Sequence, residues 1–116
     1  MKRSDSLKRK KEFRYTYRAG KSHASKLCAL VAAKNRTASV KIGFSVSKKI
    51  GNSVMRNRVK RRMREAVTPL IPSMRPGYNY IFIAREAIVN APFADIGAAM
   101  QQLIRRAELK KEEASS

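Results

Sequence analysis

Between Ala38 and Leu70 the spacing of apolar residues changes once, and that change dictates a strand followed by a helix. Val40, Ile42, Phe44 and Val46 occupy every second position, with Lys41, Gly43, Ser45 and Ser47 between them. A strand sends successive side chains to opposite faces, so the stretch from Ala38 to Ser47 has one core face and one small, polar, slightly basic face. Beyond Gly51-Asn52, the residues Met55, Val59, Met63, Ala66, Val67 and Leu70 recur three or four apart. At roughly 100° per residue they form one apolar stripe on an α-helix. Asn52 or Ser53 can cap that helix, because a short side-chain oxygen accepts from an otherwise unpaired backbone N–H. Pro69 disfavours its continuation past Thr68.

The other side of this helix carries Asn57, Arg58, Arg61 and Arg64, while Arg56, Lys60 and Arg62 flank the stripe. Like charges four apart repel by a few tenths of a kcal/mol, so an ordinary solvated face mixes signs. Here Glu65 is the only acid between Lys48 and Thr68. Arginines gathered on one ordered face suit a polyphosphate, because guanidinium presents a planar fork to phosphate oxygens. The whole chain repeats the bias, with 27 Lys and Arg against 8 Asp and Glu and a net charge of +19. Such a balance points first to nucleic acid and second to an anionic membrane surface.

The longest uninterrupted apolar run, Leu27 to Ala33, falls far short of the roughly 20 residues of a membrane span. The basic start, Met1-Lys2-Arg3-Ser4-Asp5, leads into no apolar signal region. Cys28 is the only cysteine, which excludes an intramolecular disulfide and a cysteine-based zinc finger. A reducing cytoplasmic setting fits these features. Residues 1–116 are expected to form one domain, with 1–6 and 110–116 as mobile polar tails.

The remaining elements read as follows. A helix is expected from about Lys8 to Arg18, with Phe13 and Tyr17 on one face and Gly20 as a left-handed C-terminal residue. Leu27 to Lys34 is a strand covered on both faces, and Tyr78 to Arg85 is another, central one. Asn90-Ala91-Pro92 opens a last helix whose buried stripe is Phe93, Ile96, Met100, Leu103, Ile104 and Ala107, with Arg105 and Arg106 at the end where the helix dipole favours cations. The fold class is α+β: a single-domain α/β sandwich in the order helix, strands, helix, strand, helix.

No catalytic constellation emerges. His23, the only histidine, sits in a Gly-Lys-Ser-His turn with no positioned partner, as a general base would need. Cys28 lies in an apolar strand and reads as a small core residue. The acids are scattered, with no spacing that would gather carboxylates around two magnesium ions. The residues therefore indicate a binding protein with no metal site, bound cofactor or small-molecule substrate of its own.

The stretch from Ser45 to Glu65 resembles the signature of the bacterial ribonuclease P protein subunit, with its RNR element at Arg56-Asn57-Arg58. The resemblance extends to Leu7-Lys8-x-x-x-Glu12-Phe13-x-x-x-Tyr17-x-x-Gly20 and to Tyr80-Ile81-Phe82-Ile83-Ala84-Arg85, and so covers nearly the whole chain. It implies a left-handed crossover between the parallel strands. It further implies an accessory subunit of an endoribonuclease whose catalyst is a large RNA with bound magnesium, the protein contributing no catalytic residue. The protein would dock on that RNA through Lys48, Lys49, Arg56, Asn57, Arg58, Lys60, Arg61 and Arg64. The 5′ leader of precursor tRNA would lie in a cleft with Phe13, Tyr17, Ser45 and Ser47. Where family members commonly place aromatics on the first long strand, this chain has Cys28 and Val31. A ribosomal or RNA-chaperone protein shares the charge and size but not the signature. A DNA-binding repressor would need a second helix at helix-turn-helix spacing before the basic one.

Overall fold

The change of apolar period becomes a strand, a corner and a helix. In the computed structural model, which describes residues 1–110, β3 spans Val40–Ser45 and α2 spans Ser53–Val67. A 3-10 turn at Lys48–Ile50 leads to Gly51, whose φ of 151° lies in the region open to glycine. Asn52 caps α2, its side-chain oxygen accepting from the Met55 N–H at 2.9 Å. After Val67 the chain tightens into a 3-10 helix over Thr68–Ser73, which begins beside Pro69 and contains Pro72.

The other strands are β1 (Lys21–Ala24), β2 (Cys28–Lys34) and β4 (Tyr78–Ala84), and the sheet order is β1-β2-β4-β3. β3 and β4 run parallel, joined through α2, and the other pairs are antiparallel. On one face Leu30, Ile42, Tyr80 and Phe82 meet Val59 and Met63 of α2 and Met100 and Leu103 of α3 (Phe93–Arg106) in a single core. The buried Tyr80 hydroxyl donates to the Arg75 carbonyl at 2.6 Å. Against the opposite face lies α1 (Lys10–Ala19), so the architecture is the α+β sandwich that the element order implies.

Three details depart from the sequence expectations. His23 belongs not to a turn but to β1, half-buried and paired with Leu30. This strand lacks an apolar period, and its backbone pairing with β2 creates it. Gly20 is not left-handed, with φ −82° and ψ 162°. Its need is for close approach: a Cβ there would stand 2.5 Å from the Thr16 carbonyl oxygen and 2.8 Å from that of Ala32. Phe93 is 47% exposed, because the packed stripe of α3 begins a turn later at Ile96 and takes in Ala99.

At the ends, the Met1 ammonium donates to the Thr68 hydroxyl at 3.0 Å, Ser6 bridges to Ile42, and the Leu7 N–H donates to the Ile42 carbonyl at 2.8 Å. The segment 1–7 thus runs along the outer edge of β3 and supplies that edge strand with partners. Lys110 bridges to Met74, and the rest of the expected C-terminal tail lies outside the described residues. Arg106 is held by more than the helix dipole, donating to the Ala24 carbonyl of β1 at 2.8 Å.

Candidate nucleic-acid interface

The sheet face under α1 can be read in rows from the strand register. Val31, Ile81 and Gly43 are paired across β2, β4 and β3, and Ala29, Ile83 and Ser45 form the next row. The first row is buried; the second is half-exposed. What separates them is Phe13, whose ring lies directly on Gly43. Phe13 is itself half-buried, while Tyr17, one turn on, is 43% exposed. The two rings share an open hollow of about 480 Å³ with Lys8, Lys10 and Arg14. α1, with Lys8 just before it, thus sets aromatic surface and three cations beside the half-exposed Ala29–Ile83–Ser45 row. That combination suits an unpaired nucleic-acid strand: bases stack on rings and phosphates meet ammonium and guanidinium groups.

Cys28 and Val31 part company. Cys28 is fully buried in the core on the α2–α3 side, so it has no part in this face. Burial pushes its thiol up to about 11, the Ser25 hydrogen bond pulling weakly the other way. Val31 does belong to the α1 side, but it is 7% exposed and lies against Gly20, beneath the end of the helix.

On the far side of the sheet, α2 presents Asn57, Arg58, Arg61 and Arg64 to solvent, with Arg56 and Lys60 half-buried at the margins. Lys48 and Lys49, both exposed, extend this surface from the preceding turn. Val54 stands among these cations at 79% exposure, an apolar residue on a polar face that the helical stripe gave no reason to notice. Arg62 is committed elsewhere, donating to the Ala91 carbonyl at 2.8 Å and so tying α2 to the start of α3.

Ser45 and Ser47 do not share one pocket with the rings. Ser45 sits in the half-exposed row beyond Phe13. Ser47 lines a second open hollow, of about 440 Å³, with Lys26, Lys49, Ala84, Arg85 and Glu86 at the ends of the strands. Lys26 and Arg85 were not singled out as site residues from the sequence, since only the pairing of β4 with both β2 and β3 brings them beside Ser47. Arg85 donates to the Ser25 carbonyl at 3.0 Å, which orients it there. Among the described residues no three His, Cys, Asp or Glu side chains come together as a metal-binding group, and no helix is long and apolar enough to cross a membrane.

Comparison with known proteins bears on the family and the fold. The family model described as Ribonuclease P matches residues 1–108. The ribonuclease P protein component of Clostridium perfringens strain SM101 is 42% identical over 115 residues, covering 93% of this chain and 92% of that protein. That of Clostridium botulinum strain Langeland is 41% identical over 106 residues, covering 90% and 96%. Among solved structures, the Staphylococcus aureus RNase P protein superposes with a TM-score of 0.82 at 26% identity, covering 92% of this chain and 98% of that one. The Thermotoga maritima RNase P protein, at 22% identity, shares the fold with a TM-score of 0.79, covering 87% and 96%. The chain belongs to the ribonuclease P protein component family.

Proposed function

We propose that this chain is the accessory protein of a ribonuclease P whose catalysis is carried by RNA, and that it holds two RNAs on opposite sides of its sheet. The α2 face, with Lys48, Lys49, Arg56, Asn57, Arg58, Lys60, Arg61 and Arg64, docks on the catalytic RNA. The α1 side, with Phe13, Tyr17 and Ser45, receives the unpaired 5′ leader of precursor tRNA, and Ser47, Lys26 and Arg85 continue the path for its phosphates. Magnesium belongs to the RNA partner, and the protein would work in the cytoplasm with these two RNAs as its partners.

The observation that carries the reading is the seat of Phe13 on Gly43, beside the half-exposed Ala29–Ile83–Ser45 row and a cationic rim. A leader of variable sequence needs recognition that every base satisfies, and a π-face stacked on a ring supplies it. Binding both RNAs raises the local concentration of the substrate at the catalyst without a new contact to the reacting phosphate. Neutralising phosphates with fixed cations also lowers the demand for free magnesium.

Cleavage of one precursor tRNA tests this. The cognate catalytic RNA should cut it at high magnesium, the protein alone should not, and the two together should cut at a magnesium concentration where the RNA fails. Cleavage by RNA-free protein that survives rigorous nuclease removal would overturn the reading.

A further inference from the structure

Thr16 of α1 and Asn79 of β4 are the buried polar side chains among the described residues, and they are bonded to each other. The Asn79 amide donates to the Thr16 hydroxyl oxygen at 3.1 Å. That hydroxyl spends its single proton on the Glu12 carbonyl at 2.7 Å, so towards Asn79 it can only accept. The requirement fixes which way the Asn79 amide points. Its oxygen is turned to the other side, where it accepts from the Asn35 side chain at 3.1 Å. Asn35 in turn donates to the Ser39 carbonyl at 3.3 Å and accepts from the Thr37 N–H at 2.9 Å. A one-directional chain of hydrogen bonds therefore runs from α1, through the central strand, to the β2–β3 turn.

Stability alone does not call for this arrangement. A satisfied buried polar pair contributes little more than an apolar pair of the same shape. What it adds is direction: apolar contact lets a helix slide or roll over a sheet, whereas a donor and an acceptor meet in one register. Thr16 lies between Phe13 and Tyr17 in the sequence of α1, so the pin acts on the turn that presents both rings.

We infer that Asn79 is a positioning residue for the leader cleft, holding α1 through Thr16 at the height and roll that seat Phe13 on Gly43 and leave the Ala29–Ile83–Ser45 row open. This inference rests on the cleft reading proposed above.

The test uses the holoenzyme reconstituted with the cognate catalytic RNA and measures its affinity for precursor tRNA and for the same tRNA without a leader. Asn79→Leu keeps the branching at Cγ and the number of heavy atoms and strands no buried group, because Thr16 retains the Glu12 carbonyl and Asn35 retains the Ser39 carbonyl. The protein should stay folded, the ratio of the two affinities should fall about fivefold, and leaderless binding should hold. Thr16→Val should do the same, and Thr16→Ser, which can still accept from Asn79, should keep the wild-type ratio. Phe13→Ala is the control for the cleft. If it lowers the ratio while folded Asn79→Leu and Thr16→Val leave it unchanged, the positioning role is wrong and the cleft stands. If Phe13→Ala leaves the ratio unchanged too, cleft and positioning role fall together. A parallel loss of leadered and leaderless binding in the Asn79 and Thr16 variants would reduce the pin to a packing contact and overturn the inference.

Discussion

The Phe13 ring occupies the space that a side chain at position 43 would need: a Cβ on Gly43 would overlap Cζ of the ring and lie 2.7 Å from Cε1. Leu7 Cβ, at 3.3 Å, closes the near side. Gly43→Ala should therefore push the ring off the sheet. Overpacking of this kind costs about 1–3 kcal/mol, a fall of several degrees in melting temperature for a domain of this size. Leader-dependent affinity should fall with it. A variant that melts at or above the wild-type temperature would show that the ring has free room to move.

Phe13 and Tyr17 should separate on truncation. Tyr17, 43% exposed, has little packing to lose, so Tyr17→Ala should melt close to wild type and lose about 1–3 kcal/mol of affinity for leadered precursor only. Phe13→Ala should show the same selectivity together with a lower melting temperature. Calorimetry with a stabilising anion present, paired with binding to leadered and leaderless tRNA, checks both.

The arginines of α2 should also divide. Arg58, Arg61 and Arg64 are exposed, so replacing all three with Ala should leave circular dichroism native. For each phosphate of the catalytic RNA that is no longer neutralised, the slope of log K against log salt should fall by about 0.7–0.9. Arg62→Ala should instead lower stability by about 1 kcal/mol or more, because its hydrogen bond to the Ala91 carbonyl is removed, with the salt slope intact. Binding titrations over a range of salt decide. An unchanged slope in the triple variant would make that face a solvated one.

Cys28 gives a pH prediction. In the folded chain burial holds its thiol protonated up to about 11, against an ordinary value of 9.0. The unfolded chain ionises first, so the stabilisation is complete below about pH 9 and is lost as pH rises towards 11, by roughly 1.4 kcal/mol for each unit of the difference. Between pH 9 and 11 the wild type should lose stability faster than Cys28→Ala, lysine titration being common to both. Parallel curves would contradict the burial of the thiol.

Much of this was legible in the residues. The alternation at Val40–Val46 and the stripe from Met55 to Leu70 each follow from one chemical requirement, an apolar face, and both strand and helix stand where those periods put them. The cations of α2 were legible for the complementary reason, since a one-signed face has no use in packing. What escaped was set by approach between distant segments. β1 has no apolar period and exists through its pairing with β2. Gly20 reads as a helix terminator until Ala32 is brought against it. Asn79 looks like an interruption in an apolar strand until Thr16 arrives to bond it. Lys26 and Arg85 become neighbours of Ser47 only through the sheet register, and Phe93 keeps helical phase with a stripe that begins one turn later.

The division of the two RNAs between opposite sides of the sheet is tested most directly by site-specific crosslinking. Cys28 is fully buried, so a cysteine introduced as Tyr17→Cys or as Arg61→Cys can be labelled selectively with a photoreactive group. In the reconstituted holoenzyme bound to precursor tRNA, the probe at position 17 should crosslink to leader nucleotides, and the probe at position 61 to the catalytic RNA. Crosslinks from both positions to the same RNA, or with the two targets exchanged, would contradict the account.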